Sequence, residues 1–175
     1  MPLLAWVFSA LLCLSPQSGS GAAPAPSREA ILTASRTIMA NARYATLVTA
    51  NGASQPDARI VDPFAPEGEL TIWFATNTAS RKVAELKKDA RATLLYFDTT
   101  SKSYVTVKGT ATLVVDPAEK KKRWKDEWTG MWKDKNTGDD YLLVRVDVDT
   151  LEVVSVSLGM NNDPTTWKPV TLKIR

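Results

Sequence analysis

Histidine is missing altogether from the 175 residues, and cysteine occurs once, as Cys13. Each absence removes chemistry. A Ser-His-Asp or Cys-His relay needs an imidazole to carry the proton, so neither can be built. A zinc centre, or a haem held by its usual axial ligands, loses its ligand set. No DxDxDG loop marks a calcium site. A carboxylate-only magnesium or calcium site stays open, but no metal residue is assigned, and any hard chemistry falls to a bound organic cofactor that brings its own reactive atoms. Net charge is also scarce. A formal +3 with a pI near 9.0 is mild and does not by itself point to nucleic acid.

What is present is ordinary for one globular domain: 44% hydrophobic and 23% charged residues, enough to bury a core without disulfides. Residues 3–14 are almost wholly apolar, too short to span a bilayer and the right length for a signal-peptide core. Small and helix-breaking residues follow, up to Ala22 and Ala23. The expectation is a signal peptide over 1–23 and a periplasmic or secreted mature chain with no stable membrane span. No Lys or Arg precedes Arg28. An uncleaved anchor, or a mis-called start with a cytoplasmic product, is the alternative.

Residues 24–43 read as a linker and a helix, with Ser27 as N-cap and Ile31, Ala34, Ile38 and Ala42 on one face. β-Formers fill 44–50. Asn51-Gly52 then signals a type I′ hairpin, and 55–61 returns with Pro56 near its start. Further strands are expected at 69–76, 92–97, 103–115, 141–149 and 151–158, with a last one at 170–174. Gly109 marks a bend or bulge in the long strand. A short helix is expected over 80–88. A second opens at Asp116, with Pro117 at N1 and Glu119 at N3, and would carry Trp124, Trp128 and then Met131 or Trp132 on one face. The architecture is mainly β: an antiparallel barrel with helical decorations over 44–158, and a tail over 159–175 packing on the barrel or on a dimer partner.

One constellation carries chemistry. Ser80, Arg81 and Lys82 open a short helix, and Arg59 lies on the strand pair before it. A helix start offers unpaired N–H groups and the positive end of the dipole, which suits phosphate. Arg adds a planar donor fork and Lys a point charge. A solvated helix start is the plain alternative reading.

The spacing of Arg59-Ile60-Val61, Trp73-Phe74-Ala75-Thr76-Asn77 and Ser80-Arg81-Lys82, followed by Tyr104-Val105-Thr106-Val107-Lys108-Gly109, resembles the flavin site of the pyridoxamine phosphate oxidases over about residues 44–148. The resemblance implies an FMN-binding split barrel of antiparallel Greek-key type. It assigns Arg59, Ser80, Arg81 and Lys82 to the FMN phosphate. It assigns Ile60, Val61, Asp62, Ala75 and Thr76 to the ring. It also implies a homodimer sharing its flavins. Tyr104 and a tryptophan in the following helix resemble the general-stress-protein branch, with Trp132 as the match to a tryptophan near the flavin. The Arg-x-His that holds the vitamin phosphate in true pyridoxamine phosphate oxidases is missing, so that activity should be absent. The expectation is an FMN oxidoreductase with no assigned acid or base, with deazaflavin as the lesser cofactor alternative. Its rival is a non-catalytic exported protein using the same crevice to bind a flavin or another ligand.

The run Lys120-Lys121-Lys122-Arg123-Trp124-Lys125 could suit nucleic acid or an acidic membrane. It reads better as an exposed helix face whose tryptophans pack on the barrel, so no nucleic-acid partner is expected. The six tryptophans read mainly as packing.

Overall fold

The computed structural model describes residues 24–52 and 55–175, so the expected signal segment lies outside the described residues. Helix α1 (Arg28–Ala42) starts where expected, because the Ser27 hydroxyl accepts a hydrogen bond from the Ala30 N–H and satisfies one orphan donor. Its Ile31, Ala34, Ile38 and Met39 are buried against the sheet. No helix among the described residues is long and apolar enough to cross a membrane.

Among the described residues, seven strands form one antiparallel sheet: β1 (Ala45–Ala50), β2 (Pro56–Val61), β3 (Thr71–Asn77), β4 (Arg91–Asp98), β5 (Ser103–Val114), β6 (Tyr141–Val154) and β7 (Val170–Lys173). Neighbours run β2-β1-β4-β5-β6-β3, with β7 beside the far half of β6. The ring of strands is not closed by a ladder. β3 and the chain just past β2 meet at a single bridge, Pro63 to Phe74, which leaves a split barrel. Side chains alternate along each strand, so Leu47, Leu94, Tyr96, Val105, Val107, Val146 and Val148 fill the interior.

Three local expectations need correction. The β1–β2 connection is a hairpin, but its last pair is Ala50 with Pro56, so the link is 51–55 rather than a two-residue turn. Gly52 takes φ +82°, and the Asn51 amide donates to the Asp57 carboxylate. Residues 141–154 form one strand instead of two. Nothing in Asp149-Thr150 breaks it; the chain absorbs one extra residue as a bulge, because Lys108 pairs with Thr150 and Gly109 with Val148. Gly109 is required there: a Cβ would stand 2.3 Å from the Asp147 carbonyl oxygen.

The third correction concerns the helix from Asp116. Asp116 caps it through Glu119 N–H at 2.9 Å, yet α3 (after α2, Arg81–Lys88) ends at Lys122 as Pro117–Lys122. Arg123 turns inward. It lies 3.6 Å from the Trp73 ring centroid and pairs with Glu67 and Glu119, and its carbonyl accepts from the Tyr141 hydroxyl. That carbonyl is then taken by a partner other than the next helical turn. Trp124, Trp128 and Trp132 still meet, through turns, around Tyr141 with centroids 5.1–6.4 Å apart. The basic run is only in part a solvated face: Lys121 and Lys122 are exposed, but Lys120 and Arg123 are buried, and Lys125 pairs with Asp62 at 2.9 Å.

Candidate functional site

Helix α2 begins at the end of β3, which pairs along its whole length with β6 and is thereby held rigid. Ser80 has N-cap backbone angles, but its side chain caps nothing. Its hydroxyl lies 3.1 Å from Thr76 Oγ1, which also accepts a hydrogen bond from Lys82 Nζ at 3.0 Å. The Ser80 side chain thus leaves the start of α2, the positive end of its dipole, without a side-chain cap.

Arg59 comes to the same place from β2. Its guanidinium donates to Thr49 Oγ1, to Asp57 O at 3.1 Å and to Glu85 Oε2 at 2.7 Å. Arg81 reaches Asp57 Oδ1 and Glu85 Oε1, each at 3.2 Å. Three cations (Arg59, Arg81, Lys82) thus face two carboxylates (Asp57, Glu85), leaving one positive charge in surplus. Lys82 carries the strain of that surplus. Burial lowers its pKa below the usual lysine value; Arg59 and Arg81 lower it further, against the opposing pull of Glu85. A cluster short of one anion, at an uncapped helix start, can hold a phosphate.

Beside this cradle runs a cleft of about 390 Å³. Its lining includes Ile60, Val61, Asp62, Ala75, Lys82 and Trp132, with Tyr44, Trp128 and Met131. Of the ten residues singled out in the sequence, six line the cleft. Thr76 and Ser80 are tied to it through Lys82, and Arg59 and Arg81 stand on the Glu85 side. Among the described residues, two buried polar atoms of the cleft find no hydrogen-bond partner: Asp62 Oδ1, an acceptor, and Trp132 Nε1, a donor. Apolar walls with a few unpaired polar atoms are the usual make-up of a small-ligand pocket.

Sequence reasoning missed Glu85, Thr49 and Asp57, which organise the arginines. The Arg81–Glu85 spacing of i, i+4 was the available signal for one of them. It also missed Tyr44 and Met131 in the cleft wall, which carry no chemical signature.

The pyridoxamine 5'-phosphate oxidase family profile matches residues 31–155. No curated protein matches significantly. Among solved structures, a Clostridium acetobutylicum protein related to general stress protein 26 of B. subtilis superposes with a TM-score of 0.70 at 20% identity, covering 83% of this chain and 96% of that one. General stress protein 26 from Bacillus anthracis gives 0.62 at 20% identity, covering 71% and 93%. A general stress FMN/FAD binding protein from Xanthomonas citri gives 0.60 at 19%, covering 70% and 89%. At these identities the superpositions speak for the fold alone.

Proposed function

The chain belongs to the pyridoxamine 5'-phosphate oxidase family, and from that premise we propose that it binds FMN and works as a homodimeric flavin oxidoreductase of the general-stress-protein type. The observation that carries this reading is the junction of a cationic, uncapped helix start with an apolar cleft. Ser80, Arg81, Lys82 and Arg59 would hold the phosphate. The β2 end at Ile60, Val61 and Asp62, and the β3 end at Ala75 and Thr76, would hold the ring. The orphan Asp62 Oδ1 and Trp132 Nε1 suit the polar rim of a flat heteroaromatic ligand.

FMN, when bound, supplies hydride or electron transfer through its own ring. The chain anchors and orients. Lys125 holds one oxygen of Asp62 at 2.9 Å, so the other oxygen keeps a fixed direction as an acceptor. Trp128 and Trp132 add apolar wall to the cleft. Absence of histidine removes the vitamin-phosphate grip, so pyridoxamine phosphate is not the substrate.

The dimer reading rests on the outer sheet face. Ile60, Thr46 and Leu95 are cross-strand neighbours, and Phe97 follows two residues beyond Leu95 on the same side. Ile60 is 66% exposed, Phe97 49% and Leu95 38%, a row of large apolar side chains left in water beside the cleft.

Purified protein mixed with FMN should retain the yellow cofactor through gel filtration. Arg81→Ala with Lys82→Ala should abolish that retention while circular dichroism and dimer mass stay unchanged. Undiminished retention would place the phosphate elsewhere. A bound flavin that a nicotinamide donor cannot bleach would favour the carrier role over the enzyme.

A further inference from the structure

Of the two carboxylates in the cradle that an incoming phosphate should not want, Asp57 and Glu85, Glu85 is the more deeply buried. It is 4% exposed and lies one turn into α2. Its Oε2 accepts hydrogen bonds from the Thr49 hydroxyl at 2.5 Å and from Arg59 at 2.7 Å. Its Oε1 sits 3.2 Å from Arg81 Nε but makes no aligned hydrogen bond. A single carboxylate therefore engages both arginines, while Lys82 donates, among the described residues, to the Thr76 hydroxyl.

The two arginines are not held alike. The Arg59 side chain is 16% exposed and takes a well-formed bond to Glu85; Arg81 is 69% exposed and stands 3.2 Å from each of its carboxylates. Arg81 can leave at small cost, because exposed ion pairs are weak. Arg59 cannot leave without stranding a buried carboxylate.

We infer that Glu85 is a built-in counter-anion. It occupies the arginine pair when no phosphate is bound, and it makes phosphate loading an exchange of Arg81 from carboxylate to ligand. It thereby sets how strongly the cradle prefers a phosphate-bearing flavin over a bare one. The inference rests on the FMN reading above. Charge counting gives its direction. The five groups sum to +1, and a phosphate of about −2 takes them to −1. In E85Q the same step runs from +2 to 0, so binding gains. The glutamine oxygen still accepts from Thr49 and Arg59, so the arginine stays in place.

The test compares FMN with riboflavin, which has the ring but no phosphate. In wild type and E85Q, dissociation constants for both are measured by flavin fluorescence at fixed salt. E85Q should tighten FMN on the order of tenfold, from removal of one like charge in a partly buried site. Riboflavin should change little, so the ratio rises. An unchanged or falling ratio in a protein that binds both flavins overturns this inference and leaves the cofactor reading standing. If neither flavin binds wild type, the cofactor reading falls and this one with it. Should E85Q fail to fold, arginine side-chain ¹⁵N spectra of wild type decide. FMN should shift the Arg81 and Arg59 signals while riboflavin leaves them; no difference between the two ligands overturns the proposal.

Discussion

Gly109→Ala tests whether the bulge between β5 and β6 is what bends the sheet. The added methyl would stand 2.3 Å from the Asp147 carbonyl oxygen, 3.0 Å from its carbon and 3.1 Å from the Val148 Cα. An ordinary C···O contact is about 3.3 Å or more, so roughly 1 Å of relief is needed. All three contacts are backbone, so no rotamer can supply it; β5 must move away from β6. A shift of that size breaks two or three ladder bonds at about 1 kcal/mol each. Overpacking adds about 1–3 kcal/mol, and the stiffer unfolded chain returns about 0.5–1 kcal/mol. The net cost is about 2–5 kcal/mol, a large part of a typical domain's stability of about 5–15 kcal/mol. Urea unfolding followed by circular dichroism measures it. With a slope of about 2 kcal/mol/M, the midpoint should fall by about 1–2.5 M. A loss under about 1 kcal/mol would mean that the two strands slide freely there, and the account of the bulge would be wrong.

The lowered pKa of Lys82 makes phosphate binding sensitive to alkali. Its charged form is the one that attracts the anion, and burial with Arg59 and Arg81 beside it makes it lose its proton below the usual 10.5. FMN affinity should therefore weaken as pH rises toward that value while riboflavin affinity holds; calorimetric titration at a series of alkaline pH values would show it, and parallel curves would refute it. Phe97→Arg with Leu95→Arg should turn dimer into monomer, raising the dissociation constant on the order of a hundredfold or more by burying unpaired charge; sedimentation velocity reads this out, and an unaltered dimer would move the interface to another face. Trp132→Phe should cut the quenching of intrinsic fluorescence that FMN produces and cost about 1–2 kcal/mol of stability through the lost indole packing; quenching that persists in full would place the ring away from that wall.

Much of the fold could be read from the chain because local rules and tertiary packing agree over most of it. Ser27 and Asp116 cap the helices they precede, and the alternation in residues 103–114 matches a strand buried on one side. Gly109 could be flagged as a bend because a glycine in such a strand has few other uses. Its partner in the bulge, Asp149, could not. The extra residue belongs to β6, and only the pairing register shows that one long strand continues where two were expected. The same limit explains α3. Helix periodicity placed Trp124, Trp128 and Trp132 on one stripe, and the indoles do share a cluster, but turns bring them there. The competing pull was non-local: the Trp73 ring and Glu67 draw Arg123 inward, and the Tyr141 hydroxyl takes its carbonyl.

The candidate site divides along the same line. Ser80, Arg81 and Lys82 are contiguous and stand at a helix start, so their convergence follows from three adjacent residues and a general property of helices. Arg59 needs the path β2-β1 and the packing of α2 to reach them. What the chain conceals is the negative charge among the positive ones. Glu85 read alone is a helix residue with an i, i+4 arginine, a surface pair of small consequence. Only burial and the approach of Arg59 from another strand turn it into the internal partner of the cradle. A cationic motif in a sequence therefore states which ligand charge can be attracted. How firmly it is held depends on which carboxylates the fold brings to the same spot, and those carboxylates are the residues to mutate first.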